Sequence, residues 1–266
     1  MTQSNGKTAG SADAAQPATA AATSATAMPG APVSRRPSRK PRADGAASRE
    51  RMLEAAGKLF ARQGFDSVSV RAVAKAAGVN LSAIGYHFGD KEGLYRGVLR
   101  RLIEDSEPVM GPAAERLTSG VAAAGGDRAM LAALLAGFLR HLLGSVLVDE
   151  RMRWRMQLML REFHEPTAAF PMLLEERIHP LHNAVALLVG AATDQDAEAP
   201  ETRLLTAAII GQCMALGAAR TVVCARLGWD GYTPERVDFI IRTLTPAVLA
   251  MLGLPQIEGA AAGGPA

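Results

Sequence analysis

Three stretches of the sequence bring together side chains that could do chemistry. In SAIGYHF, residues 82–88, a tyrosine and a histidine stand side by side at Tyr86 and His87. A phenol and an imidazole on a short helix can reach phosphate oxygens or base edges of a nucleic acid. In EERIHPLH, His179 and His182 stand three residues apart behind Glu175 and Glu176. That spacing could hold a metal ion on one helix face. Pro180 lies between the two histidines and no third ligand is evident, so surface or capping roles fit them better. The third stretch, MRWRMQLMLREF, crowds Met152, Trp154, Met156, Met159 and Phe163 together, with Phe138 and Phe170 nearby in sequence. Such side chains build either an ordinary core or an adaptable wall for apolar ligands.

Other chemistries have little to stand on. Cys213 and Cys224 fall eleven residues apart on one expected helix, about 16 Å, which is too far for a disulfide. They read as two buried thiols of a cytoplasmic protein. There is no nucleophile elbow, phosphate-binding loop or glycine-rich dinucleotide fingerprint. The expectation is a protein that is not an enzyme and uses no cofactor, with metal sensing or metal-dependent catalysis through His179 and His182 as the rival reading.

Helices must position these residues. The chain has 266 residues, 48% hydrophobic but only 5% aromatic, and is rich in alanine and leucine. This composition favours an all-α fold. Residues 1–45 carry almost no large apolar side chain and end in the basic run SRRPSRKPRADG, so they read as a disordered arm. Helical periodicity starts near Ser48, where Met52, Leu53, Ala56, Leu59 and Phe60 recur at spacings of three and four. Further helices are expected at 70–77, 81–88, from Lys91 to just before Pro108, and near 112–120, 127–145, 149–164, 167–192, 200–227 and 234–252. Residues 255–266 read as a frayed tail. The most apolar run, LLTAAIIGQCMALGAARTVVCARLG, contains Gln212 and Arg220, which argues for burial in protein rather than in lipid.

Charge divides the chain. Residues 1–104 carry a net +8 and residues 105–266 a net −5, which together make the overall +3. Only the front of the molecule suits a polyanion. There, two short helices flank a turn containing Gly78, the spacing of a helix-turn-helix. Ala74 is small where the helices would cross, and Val73, Ala77, Val79, Ile84 and Phe88 can share one core. Ser82, Ala83, Gly85, Tyr86 and His87 are left pointing outward. A solvated face would be filled with Glu and Lys; small residues instead let a helix sink into a major groove.

These residues resemble a known family. LEAAGKLFARQGF, SVSVRAVAKAAGV, SAIGYHF and GDKEGLY together are similar to the DNA-binding domain of TetR/AcrR-type transcriptional regulators. The resemblance implies DNA contacts from Tyr86 and His87 and a phosphate contact from Lys91. Ser69, Arg71, Ser82, Ala83 and Gly85 complete the candidate DNA surface. Many members have an aromatic residue where this chain has Gly85, so any phosphate contact from that side chain is missing here. More weakly, REFHEPTAAFPMLLEERIHPL and LLTAAIIGQCMALGAARTVVCARLGW resemble the C-terminal domain of the CecR branch. That implies a helical domain for effector binding and dimerisation.

The expected layout is therefore a DNA-binding domain over 46–106 and a ligand-binding and dimerisation domain over 107–254. The expected function is a cytoplasmic, ligand-responsive regulator, a repressor by analogy with the family. Its partners would be palindromic double-stranded operator DNA, a small apolar effector and a second copy of the chain, with no membrane. The candidate pocket comprises Phe138, Trp154, Arg155, Met156, Met159, Phe163, Gln212 and Arg220. Of these, Arg155, Gln212 and Arg220 could equally satisfy buried polar groups. A small-residue stripe, Ala208, Gly211, Ala215 and Ala218, would let two helices approach closely at a dimer interface.

Overall fold

The computed structural model describes residues 41–148 and 152–257, and among these every regular element is helical. Residues 1–40 of the expected arm and the last nine residues lie outside the described residues, whereas residues 41–45, expected in the arm, are helical and open α1.

The opening unit is α1 (Pro41–Gln63), α2 (Val70–Ala77) and α3 (Leu81–Phe88). Two eight-residue helices are too short to persist alone, so their ends are specified by side chains. The Ser69 hydroxyl accepts the Ala72 N–H at 3.1 Å and starts α2, and Asn80 Oδ1 accepts the Ser82 N–H at 3.1 Å and starts α3. Such caps contribute about 1 kcal/mol each. Between them Gly78 takes the left-handed conformation, φ 64°, that stops α2 and turns the chain. Val73, Ala74, Ala77 and Ile84 are buried against Met52, Ala56 and Phe60 of α1, with Val79 and Phe88 packed at the edge.

Asp90 caps α4 (Lys91–Ala124), accepting the Gly93 N–H at 2.7 Å. This helix differs from the sequence expectation, because it runs unbroken through Pro108 and Pro112 instead of stopping before the first. Packing overrides the prolines: Ser106, Met110, Ala113 and Leu117 are buried, and His141 Nε2 donates to the Val109 carbonyl at 2.8 Å between them. As a result α4 belongs to two cores, with Leu94 to Ile103 in the first and Met110 to Ala124 in the second.

The second core is built by α5 (Arg128–Val148), α8 (His179–Thr193), α9 (Pro200–Ala218), α10 (Arg220–Leu227) and α11 (Pro234–Met251). Among the described residues α5 is the single helix apolar and long enough to match a membrane span, and the later run singled out from sequence passes only as the bent pair α9 and α10. Leu131, Leu135, Leu139, Leu142, Leu143 and Leu147 of α5 are all buried within the protein.

Two more helix boundaries depart from expectation. The 200–227 helix breaks at Ala219 with a 73° bend between α9 and α10. The Tyr232 hydroxyl donates to the Leu216 carbonyl at 2.9 Å, taking the acceptor that the next turn would use. The 167–192 helix begins instead at α7 (Phe170–Leu173) and passes through a π-turn, Leu174–Ile178, before α8. Pro180 has no N–H to continue an α-helical ladder, and the wider turn just before it accommodates that loss.

Helix α6 (Met152–His164) joins the two cores. The Trp154 ring lies against Gly57 of α1, where any side chain would collide with it. Arg161 donates to the Ala61 carbonyl at 2.8 Å and the Arg62 carbonyl at 3.1 Å, satisfying the end of α1. Buried Glu162 accepts from the Tyr95 hydroxyl at 2.5 Å and from the Thr167 hydroxyl at 3.2 Å. Tyr95 in turn meets Phe60 and Phe65 edge-on, at centroid distances of 4.9 and 5.0 Å.

Candidate nucleic-acid interface and effector cavity

With Ile84 as its anchor, α3 leaves Ser82, Gly85 and Tyr86 exposed. Tyr86 is 86% exposed, more than any other large apolar or aromatic side chain among the described residues. Its ring meets only His87, edge-on at 5.1 Å, and its hydroxyl is free of hydrogen bonds within the described chain. His87 is half-buried, since it also lies beside Phe88 at 6.1 Å. Ala83 departs from expectation: it is half-buried and packs on the core instead of pointing freely outward. Ser69 and Arg71 are exposed at the start of α2, with the Ser69 hydroxyl already engaged as a cap.

Lys91 does more than face solvent. Its ammonium donates to the Asp66 carbonyl at 3.0 Å and lies 4.5 Å from the centre of the Phe65 ring. The lysine therefore ties the start of α4 to the loop before α2, and two of its three N–H donors remain for an outside acceptor.

A mainly apolar concavity lies in the helical remainder. A cavity of about 440 Å³ is enclosed by α4, α5, α6, the π-turn, α8 and α9. Its wall is mainly apolar, with Met110, Leu142, Met156, Met159, Phe163 and Met214 prominent. This size suits a small organic ligand. Of the pocket residues expected from sequence, Arg155, Met156, Met159 and Phe163 line it. The other four do not. Phe138 is buried in the second core and borders a separate shallow groove. Trp154 is spent on the α1 contact. Gln212 is half-buried off the cavity. Arg220 donates to the Leu147 carbonyl at 3.2 Å and stacks over Tyr232 at 4.7 Å, so it holds the α9–α10 bend.

Three polar lining residues were not singled out as pocket groups from sequence: Ser106 on α4, Arg177, carried by the π-turn, and His182, one turn beyond. Burial, then the charges of Arg177 and His179, push the His182 imidazole below the usual histidine range, so it is neutral near pH 7. His179 instead faces Glu175 at 3.3 Å, and Glu176 pairs with Arg100 at 2.5 Å. The four candidate metal ligands are thus dispersed. Among the described residues, no group of three or more His, Cys, Asp or Glu could hold a metal ion.

The cavity also connects electrostatically to α1. Arg155 at its wall is ion-paired with Asp105 of α4, which accepts from Arg101 at 2.9 Å. Arg101 reaches Glu50 of α1, also at 2.9 Å. Along α9, the stripe of Ala208, Gly211, Ala215 and Ala218 is exposed, and Gly211, Ala215 and Ala218 also border the cavity. Leu204 and Val222 extend the exposed apolar surface, at 71% and 63% exposure.

Residues 52–98, the capped helical unit and the start of α4, match the model for bacterial regulatory proteins of the tetR family. Residues 131–253 match the C-terminal domain of the HTH-type transcriptional dual regulator CecR. The chain belongs to the TetR family. Its TetR-type headpiece and CecR-type C-terminal domain recur together in the dual regulator CecR of Shigella flexneri, 29% identical over 213 residues that cover 80% of this chain and 95% of that one. The TetR-family regulator PfmR from Thermus thermophilus shares the fold, with a TM-score of 0.51 at 17% identity, covering 79% of this chain and 98% of PfmR. A structure of SmeT in complex with triclosan aligns with a TM-score of 0.51 at 19% identity, covering 82% of this chain and 96% of SmeT. This TetR-family chain is a transcriptional regulator with an N-terminal helix-turn-helix and a helical C-terminal part.

Proposed function

We propose that the protein binds a palindromic operator in double-stranded DNA as a homodimer, represses from it, and releases it when a small molecule fills the cavity. The observation that carries the DNA reading is Tyr86: a large aromatic, almost wholly exposed, with no packing role, on the second helix of a helix-turn-helix. On a helix whose outer face is otherwise small residues, such a ring is free to reach phosphate oxygens or base edges. The net charge of +4 over residues 48–104 adds the sequence-independent attraction to phosphate. In this reading the DNA surface is Ser69, Arg71, Ser82, Gly85, Tyr86, His87 and Lys91. Headpiece 46–106 reads DNA, and 107–254 binds the effector and the second copy.

The dimer reading rests on α9. Its exposed Ala208, Gly211, Ala215 and Ala218, flanked by Leu204 and Val222, let a second helix approach closely and cover apolar surface. Two headpieces related by twofold symmetry would meet half-sites about one helical turn, ~34 Å, apart. The effector acts only if it binds one headpiece arrangement better than the other. The Arg155–Asp105–Arg101–Glu50 chain is a physical path for that preference.

The test is selection of genomic fragments by the purified full chain, then footprinting and titration. The expected result is a short list of two-half-site sequences bound at least about a thousandfold more tightly than random DNA. Uniform affinity for all fragments would replace the operator reading with non-specific binding. Reporter expression from the selected promoters, with and without the regulator, fixes the sign of control. Repression is the expected sign, although the CecR relative is named a dual regulator.

A further inference from the structure

The cavity carries at its wall a cation with no direct ionic partner among the described residues. Arg177 lines it and, among the described residues, makes no hydrogen bond and no ion pair. The surrounding ionisable groups are otherwise engaged. Arg155 is paired with Asp105, Glu176 with Arg100 and Glu175 with His179. The Ser106 hydroxyl donates to the Ile103 carbonyl. Glu107 is felt by Arg177 only at longer range, and its carboxylate lies against Gly111 on the exposed side of α4. Arg177 is half-buried, and that burial pushes its guanidinium below the usual arginine range, with Glu107 opposing the shift.

The backbone that presents it is also unusual. Arg177 sits on the π-turn Leu174–Ile178, a wide turn that re-aims side chains relative to an α-helix and recurs at functional sites. One turn on, neutral His182 borders the same cavity and has no hydrogen-bond partner among the described residues. A guanidinium fork beside a neutral imidazole N–H matches an oxyanion, with two N–H donors for one acid oxygen and a third for its neighbour. The remaining wall of Met, Leu and Phe side chains suits an apolar body.

We propose that the effector is an organic anion, an apolar body bearing one carboxylate or sulfonate that pairs with Arg177 and is supported by His182. This rests on the cavity being the effector site and adds the chemical class that the cavity selects. A neutral apolar molecule of the same shape would fill the space and leave the cation unpaired, which is the less favourable outcome.

A matched pair of dyes tests the charge apart from the cavity. 1-Anilinonaphthalene-8-sulfonate and its uncharged parent N-phenyl-1-naphthylamine both brighten in apolar surroundings and differ by one sulfonate. They are titrated into the full chain, wild type, Arg177→Met, Arg177→Lys and Met156→Trp, with the helical CD signal confirming folding. The wild type is expected to prefer the anionic dye. Arg177→Met should weaken the anionic dye by about ten- to a hundredfold and leave the neutral dye within about twofold. Arg177→Lys should restore part of the loss, because charge remains while the fork is gone. Met156→Trp, which fills the cavity, should weaken both dyes. Equal wild-type affinity for both dyes, or parallel loss of both on Arg177→Met, overturns the anion assignment and leaves the cavity reading intact. If the wild type binds neither dye, or Met156→Trp changes neither affinity, the cavity reading fails and the anion assignment falls with it.

Discussion

Replacing Gly57 by alanine tests how α1 is seated on α6. A Cβ at position 57 would lie 2.3 Å from Cζ3 and 2.5 Å from Cη2 of Trp154, where ordinary contacts begin near 3.4 Å. The indole, or the helix that carries it, must retreat by roughly an ångström. Forcing a methyl into a packed contact costs about 1–3 kcal/mol. Alanine in place of a mid-helix glycine gives back about 1 kcal/mol of helix propensity. The net expectation is a loss of about 1 kcal/mol, or ~2–4 °C in the thermal midpoint of a domain this size. The sharper measurement is the double mutant. In a Trp154→Ala background the collision is gone, so Gly57→Ala should become stabilising by up to about 1 kcal/mol. Thermal unfolding of the four proteins, followed by CD, reads this sign change directly. Tryptophan emission in a Trp229→Phe background should shift red in Gly57→Ala as the remaining indole moves toward water. If Gly57→Ala stabilises the protein with Trp154 present, the α1–α6 contact described above is wrong.

Burial, with the neighbouring Glu162, raises the Tyr95 phenol above the usual tyrosine range. Its contribution to stability is therefore complete below the unfolded value, about pH 10, and is lost as pH rises beyond it. Denaturant midpoints should fall in that window, and Tyr95→Phe should flatten the fall. Asp105→Asn removes the carboxylate shared by Arg101 and Arg155. Operator affinity without ligand should change little, while the factor by which a bound ligand weakens DNA binding shrinks. An unchanged factor would show that the ion-pair chain carries no coupling. Burial lifts the Cys213 thiol to about 12, so a thiol reagent at pH 8 should modify it only as fast as the fold opens. Rapid labelling of native protein would contradict the packing of α9.

The helix-turn-helix was legible because each of its signals is local. Ser69, Gly78 and Asp90 mark helix ends, and the spacing of Val73, Ala77 and Ile84 marks a single core face. The family resemblance then agreed with those marks. The helical remainder was legible as a class and less so in detail. Pro108 and Pro112 read as breaks, because sequence does not show the buried face of α4 or the His141 bond that supports the helix through them. The bend at Ala219 is set by Tyr232, sixteen residues beyond the carbonyl it captures. The cavity was half visible. The α6 methionines and Phe163 recur at helical spacing, and local periodicity finds them. Arg177 and His182 reach the cavity through a π-turn, which shifts the register that such counting assumes. Trp154 and Arg220, both attractive as ligand contacts in sequence, are engaged by Gly57 and by Leu147 and Tyr232.

The central claim is that specific DNA is read from the exposed face of α3. The most direct measurement is the affinity of Tyr86→Ala and His87→Ala for a selected operator, beside random DNA and thermal unfolding as controls. Neither side chain anchors the core, so both variants should fold with stability within about 0.5 kcal/mol of wild type for the exposed Tyr86, and slightly more for half-buried His87. Each should bind the operator about ten- to a hundredfold more weakly, with affinity for random DNA nearly unchanged. Full operator affinity in both folded variants would contradict the account and move the reading surface away from α3.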